Sequence, residues 1–539
     1  MILLVLFAIA FAARATAGAL FTEPAYPDSF YYVNVAHQLA AGRGFSVDFI
    51  WNFVDVGGRL PDQPTLPIPS NAHWMPLAAL VQVPFIWLLG ATPLASALPF
   101  WLIGALAAPL TYLIAVDAGL GRPMAFTAGL LAAVPAALLP FMAQPDNFGL
   151  FMVLGALALL LGARAWTGDR RALVGAGLVV GLATVSRTDG VLLGFPLAVA
   201  GFAHLWRSRA ARPELLRWLA AGLASVALLA VVVGPWVFRQ LDVFGSVTPS
   251  AASGRILWIT EYRQLWSVSG QPTLDTLLAQ GPAALLASRL GGLAAAVGIF
   301  VLWPLATVLA PFALIGGWLR RHDRRFRPFF LYAALLFAAS GLLFAVHVPY
   351  GTFIHSAVAL VPHAFVLTVI GVEAVAVWLA ERRPGWQPRR ASLMFASVAV
   401  IAAVAAAALQ TFTTVRDWTA DRSARQALAG ALASAAGSDR VMSADAGAYE
   451  FLFDRAGVVS PDDPLPVIEQ AAEAYDIRWL ALERDHIVPA LVPVLTGDLH
   501  PDWLSAQPVA EYTAPQASAA PTAALYAVCL TAGDARCAR

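Results

Sequence analysis

The feature that most constrains this chain is the recurrence of apolar stretches, nearly free of charge, about as long as a bilayer is thick. A helix that crosses hydrocarbon needs ~20 largely apolar residues, and helices satisfy their own backbone hydrogen bonds where no water is present. Such stretches fall near 1–20, 94–117, 124–142, 147–165, 172–186, 190–206, 216–238, 289–318, 328–346, 354–380 and 391–412. They predict an all-α polytopic membrane protein with about eleven transmembrane helices. The stretch 76–91 is apolar but short and bounded by prolines. It reads as a juxtamembrane or re-entrant helix, because a full span there inverts every later loop. Composition agrees: hydrophobic residues make up 59% of the 539 and charged residues 12%, against roughly 25% charged in soluble domains. So little charge leaves no polar surface to cover a water-soluble globule.

Arginine placement orients the spans. All 34 basic residues are Arg, and no Lys is present, which excludes lysine Schiff-base chemistry. Together with the abundant Ala, it hints at a GC-rich bacterial genome. Short cytoplasmic loops carry the excess of basic residues. With Met1 inside, those loops hold Arg122; Arg164, Arg170 and Arg171; Arg207, Arg209 and Arg212; Arg320, Arg321, Arg324, Arg325 and Arg327; and Arg382, Arg383, Arg389 and Arg390. The intervening loops hold isolated arginines such as Arg187 and Arg239. The expected location is therefore the bacterial cytoplasmic membrane, with the N-terminus cytoplasmic. A net charge of +1 offers no field for nucleic acid.

Three extracytoplasmic pieces follow: loops at about 21–93 and 239–288, and a C-terminal region, 413–539, beyond a transmembrane domain of 1–412. The C-terminal composition is mixed, with short strand-like runs at 440–442, 457–460 and 477–482 between helix-like runs, and it predicts a small α/β domain. The two cysteines, Cys529 and Cys537, stand at its end. An oxidising compartment permits a disulfide there; two free thiols in a frayed tail are the other reading. The segment Ala15-Thr16-Ala17 mimics a cleavage site, but the chain lacks a basic start and Arg14 interrupts the apolar run, so an uncleaved first helix is expected.

Ionisable groups at or beside the membrane are costly and tend to be functional. Here they gather on the side away from the arginine clusters. Asp28 follows the first span and precedes Tyr31, Tyr32, Val35, Ala36 and Leu39 at helical spacing. This predicts an amphipathic helix on the outer leaflet, with Asp28 either a plain N-cap or a carboxylate aimed into a cavity. Asp146 lies in a very short turn, where a solvated turn residue is the bland alternative. Arg187 and Asp189 share the next such turn and pair with each other in the simplest reading. Arg239 leaves the seventh span, and Arg255, Glu261, Tyr262 and Arg263 follow in the second loop. His73 and His355, each more often structural than catalytic when alone, complete the set. A positioned carboxylate removes a proton from a hydroxyl, and arginines hold a phosphate and stabilise its developing charge. The residues alone thus point to a membrane-edge site for an anionic lipid with acid/base chemistry.

The segments PDSFYYVNVAHQLAAGRGF (27–45), HWMPL (73–77), the turn at Asp146, SRTDG (186–190), PWVFRQLDVFGSVTP (235–249) and GTFIHSAVALVP (351–362) resemble, in this order, GT-C-type polytopic glycosyltransferases. That superfamily includes protein O-mannosyltransferases and the lipid A aminoarabinose transferase. The resemblance implies transfer of a sugar, with inversion, from a polyprenyl phosphate to an extracytoplasmic acceptor (a protein, glycolipid or polysaccharide). It implies Asp28 as catalytic base and Asp146 as a second, assisting acid. Arg187, Arg239, Arg255 and Arg263 become candidates for the donor phosphate, and Tyr32, His73, Tyr262 and His355 for the substrate pocket. Departures exist. Asp28-Ser29 stands where an Asp-Glu pair is familiar, HWMPL replaces HPPL or KPPL, and the Trp-Trp-Asp signature of oligosaccharyltransferases is missing. No obligatory cofactor or metal is expected, since two clear carboxylates are too few for a hard-cation cage, although a divalent metal is not excluded. The competing readings are a lipid-linked sugar flippase and an inactive lipid- or glycan-binding subunit. Inverted repeats and midplane charges, the marks of a transporter, are not evident.

Overall fold

The structure is a computed structural model and describes residues 1–21, 23–247, 255–515 and 521–530. Cys537 lies outside the described residues, and no free cysteine stands among them. Nine of the described helices are long and apolar enough to cross a membrane: Ile2–Leu20, Pro93–Asp117, Arg122–Met142, Asn147–Trp166, Thr188–Ser208, Arg212–Phe244, Gly281–Leu302, Thr352–Ala380 and Pro388–Ala433. The shorter helices Arg170–Ser186 and Arg327–Leu342 join the same bundle, so the chain is a multi-pass membrane protein. The short pieces Leu77–Leu80 and Val83–Leu89 stand at the expected re-entrant segment.

Proline sets where these helices begin. Pro93 and Pro388 open their helices, and Pro123, Pro213, Pro282, Pro328 and Pro362 occupy the first turn of others. Its missing N–H costs nothing there, and its fixed φ suits the helix. Proline inside a span has the opposite effect. The stretch 289–318, expected as one span, is two helices, Gly281–Leu302 and Ala310–Arg320. Pro304 removes a ladder hydrogen bond and clashes with the preceding turn, and Ala306 and Thr307 take left-handed φ values of 45° and 60°. The second piece packs on the helix Val361–Ala380 through glycines: a Cβ on Gly316 would collide with the Leu367 carbonyl, and one on Gly371 with the Phe312 carbonyl.

The short hairpins between helices meet at one end of the bundle. Asp117 pairs with Arg164 at 3.5 Å, and its carbonyl accepts from Arg325 at 2.6 Å. Arg170 pairs with Glu214. The long loops and the C-terminal region cover the other end.

The C-terminal strands Arg440–Ser443, Gly457–Val459 and Ile477–Glu483 form where the sequence places them. They belong to a six-stranded sheet. Gly457–Val459 and Ile477–Glu483 flank Arg440–Ser443 in parallel, and Ala523–Ala527 then Ala510–Tyr512 extend the sheet antiparallel. The remaining edge is Phe49–Ile50 from the first long loop, parallel to Gly457–Val459. The helix Pro388–Ala433 runs without a break through residue 412 and reaches this subdomain. Its Arg425 is buried against Glu483 at 2.9 Å and Asp445 at 3.5 Å.

The helix Pro27–Ala40 differs from its expectation. It does not lie on a membrane surface: Ser29 through Ala36 are all buried. It is clamped between the bundle and the helix Ala446–Phe453, with Asn34 Nδ2 donating to the Gly447 carbonyl at 2.9 Å and Phe30 against Phe451. The alternation read as one apolar face and one wet face is a helix wrapped by protein on both.

Candidate active site

A cavity of about 420 Å³ opens at the loop end of the bundle. Its wall draws on the first long loop (Trp51, Asn52, His73, Trp74), the second (Tyr262, Leu265, Trp266) and the starts of several helices (Asp28, Asn147, Arg187, His355, Ser356). The apolar residues Leu336, Ala339, Phe344 and Val348 line another part of it.

The start of each helix aims its polar residue. Tyr26, not Asp28, is the N-cap of Pro27–Ala40, and Asp28 sits in the first turn. Its side chain is therefore not spent on capping, and 35% of its surface opens to the cavity. Asp146 caps Asn147–Trp166 by accepting the Asn147 N–H. It is fully buried, and its other oxygen accepts from the Tyr26 hydroxyl at 2.8 Å. Gly351, at φ 98°, turns the chain into the helix that carries His355 and Ser356. A side chain there would strain the left-handed turn.

These starts converge on one imidazole. His355 Nε2 is 3.8 Å from Asp28 Oδ2, and Nδ1 is 3.8 Å from Asp146 Oδ2. Nδ1 lies 3.1 Å from Asn147 Oδ1, and Asn147 Nδ2 donates to the Tyr32 hydroxyl at 3.0 Å. With the Asn147 oxygen as the acceptor, Nδ1 is the protonated ring nitrogen and Nε2 faces Asp28. Phe148 stacks on the ring at 3.9 Å and fixes its plane.

Burial pushes the Asp28 carboxyl well above the ordinary carboxylate range; the neighbouring Asp146 adds to this and Arg187 opposes it. Asp146 is also raised by burial, against the hydrogen bonds from Tyr26 and Asn147 and the charge of Arg187. Burial holds His73 down to about 4, with His347 and Arg187 contributing, so this ring is neutral at physiological pH.

The four candidate arginines part company. Arg187 lines the cavity. It is held by Asp189 at 3.0 Å and Ser356 Oγ at 3.1 Å, with Phe151 under its guanidinium at 5.8 Å. Arg239 is outside the wall. It donates to the Ser70 carbonyl at 2.8 Å and to Gln240, beside the rings of Phe45 and Trp236. Arg255 ties the Gly58, Ser267 and Gly270 carbonyls together. Arg263 is exposed beside Glu261 at 3.0 Å. The four pocket candidates, Tyr32, His73, Tyr262 and His355, all line the cavity, and Tyr262 lies flat on Tyr350 at 4.1 Å. Sequence reasoning missed Asn147, although it follows Asp146 directly. It also missed Trp51, for which the sequence carries no distinguishing signal, and it did not single out Trp74 and Ser356 within the segments HWMPL and GTFIHSAVALVP.

Asp28, Asp146 and His355 each offer a ligand atom, all within 4.8 Å of one another. Two carboxylates and an imidazole suit zinc or a similar divalent ion. The expectation of a metal-free site counted the carboxylates alone; His355 is the third donor that folding adds.

Many apolar helices, a cavity at their loop end and a small sheet subdomain make up a GT-C-like fold. The family model described as dolichyl-phosphate-mannose-protein mannosyltransferase matches residues 69–237. Among solved structures, the chain is similar to ArnT from Cupriavidus metallidurans bound to undecaprenyl phosphate, with 15% identity, 97% of each chain covered and a TM-score of 0.55. It is also similar to the Archaeoglobus fulgidus oligosaccharyltransferase in complex with Zn and sulfate, with 15% identity, 96% of this chain and 72% of that one covered, and a TM-score of 0.54. No curated protein matches the chain by sequence.

Proposed function

We propose that this protein is an inverting glycosyltransferase that moves a sugar from a polyprenyl phosphate to an acceptor hydroxyl. The observation that carries this reading is the convergence of Asp28, the Asp146–His355 pair and Arg187 on one cavity. The undecaprenyl phosphate named with ArnT and the mannosyltransferase family description support the donor class. The arginine-rich hairpins at the opposite end support an extracytoplasmic cavity in a bacterial cytoplasmic membrane.

The acceptor oxygen attacks the anomeric carbon and gives its proton to Asp28. The bond from that carbon to the phosphate oxygen breaks, and the polyprenyl phosphate leaves with the electron pair. A carboxylate whose affinity for protons is raised above the ordinary range is, once deprotonated, a stronger base than an ordinary one. Arg187 is the cation on the cavity wall and stabilises the departing phosphate. The apolar wall at Leu336, Ala339 and Phe344 takes the first prenyl units. Asp146 holds its charge behind Asp28 and keeps His355 oriented.

A second reading rests on the same side chains. A divalent ion held by Asp28, Asp146 and His355 would supply positive charge for the phosphate. The test is transfer in liposomes from a panel of radiolabelled polyprenyl-phosphate sugars, wild type beside Asp28→Asn, with and without prior chelation. Transfer from one donor by the wild type alone, undiminished by chelation, is the expected result. Full activity of Asp28→Asn sinks the assignment, and activity lost to chelator and restored by metal establishes the second reading.

A further inference from the structure

Two parts of the cavity wall are attached to the C-terminal subdomain. One is the helix of Asp28, which the helix Ala446–Phe453 holds through Asn34 and Phe30. The other is the segment 262–268 of the second long loop, which brings Tyr262, Leu265 and Trp266 to the cavity. Its only regular structure is a short 3-10 turn, Tyr262–Leu265, and none of the four turn residues is buried. Such a turn has little packing of its own to fix it.

A buried carboxylate ties it to the C-terminal subdomain. Asp463 is buried, with 6% of its surface exposed. It accepts from Ser267 Oγ at 2.7 Å, from the Val268 N–H at 2.7 Å, from the Ser269 N–H at 3.4 Å and from the Ser269 hydroxyl. Next to it, the Asp462 N–H donates to the Trp266 carbonyl at 3.3 Å. Asp463 precedes Pro464, the N-cap of the helix Leu465–Ala474. Proline holds the preceding residue out of the helical region, so Asp463 is set apart from its helix and free to serve the loop. Hydrogen bonds to an ionised acceptor are the stronger kind, and four of them converge on three successive residues.

We propose that Asp463 is a positioning residue: it latches the Tyr262–Trp266 wall to the C-terminal subdomain, at a fixed separation from the wall that bears Asp28. The subdomain is then a frame that sets the width of the site. This proposal rests on the transferase reading for its kinetic consequence, though not for the latch itself.

The experiment compares wild type, Asp463→Asn, the double variant Ser267→Ala/Ser269→Ala and the surface control Glu469→Gln, each purified whole in detergent. Asparagine keeps one acceptor oxygen and turns a donor toward the Val268 N–H. For Asp463→Asn the expected result is a donor KM raised about tenfold with kcat within about twofold, and faster hydrogen exchange over residues 262–270. The double variant moves in the same direction, and adding Asp463→Asn to it has less than additive effect. Glu469→Gln matches wild type. A folded Asp463→Asn with wild-type KM and wild-type exchange overturns the latch, as does a fall in kcat with KM unchanged. If wild type itself transfers no sugar, the transferase reading fails and undecaprenyl phosphate binding decides the latch. A Kd raised in Asp463→Asn supports it, and an unchanged Kd overturns it.

Discussion

The two ends of the helix bundle hold arginines of two kinds. At the hairpin end, Arg209, Arg321 and Arg382 are exposed and lie over the indoles of Trp206, Trp318 and Trp378 at 4.2, 4.0 and 4.4 Å. Each side chain buries its stem on an aromatic ring and keeps its charge in the wet interface. At the cavity end, Arg187, Arg239, Arg255 and Arg425 are at least partly buried and spend their donors on named oxygens. The difference teaches what each charge is for. An exposed arginine acts by number, as one of several that orient the chain, and any neighbour can replace it. A buried one acts by position, because removing it leaves its partners unpaired.

The sharpest way to break this contrast is to neutralise Arg187 at the cavity. Arg187→Gln removes the wall's cation and leaves Asp189 facing Ser356 without it. Transfer is expected to fall by about 100-fold or more, the loss typical when a transition-state donor is removed. Steady-state rates measured on protein of wild-type thermal midpoint check this, and near-normal turnover would return the phosphate to another cation.

A smaller effect sharpens the electrostatics of the same end. The Asp146 charge raises the Asp28 carboxyl, and Asp28 must be deprotonated to act as a base. The rate is therefore expected to rise with pH through an apparent pKa above the usual carboxylate range. In Asp146→Asn that charge is gone, so the limb moves to lower pH. A profile of kcat/KM against pH for both proteins reads this directly, and a limb that stays in place removes Asp28 as the titrating group. The least effect belongs to the hairpin end. Arg321→Gln should leave transfer within about twofold and stability within about 0.5 kcal/mol, as exposed substitutions generally do. A large loss there would erase the contrast.

Legibility in the sequence followed the same division. The spans were readable because hydrocarbon imposes a length and a composition on each one separately. The break at Pro304 was overlooked because flanking apolar residues masked it, although the proline itself was in view. Asp28, Asp146, Arg187, Tyr32, His73, Tyr262 and His355 all line the cavity or lie immediately behind its wall. They could be singled out because polar residues at the ends of apolar stretches are conspicuous. Arg239, Arg255 and Arg263 were equally conspicuous, and only distance separates them from Arg187. Which backbone carbonyls lie beside an arginine is a property of the packed loops.

The sequence by itself determined the membrane-spanning architecture, the side on which the arginines gather and the strands read at 440–442, 457–460 and 477–482, because each depends on local periodicity and composition. Only the tertiary structure decided that Asp28 leaves its helix cap to Tyr26, that His355 stands between two carboxylates, and that residues 49–50 complete a sheet some 400 positions away. Those outcomes rest on contacts between segments far apart in the chain. No local pattern encodes such a distance, and packing alone fixes it.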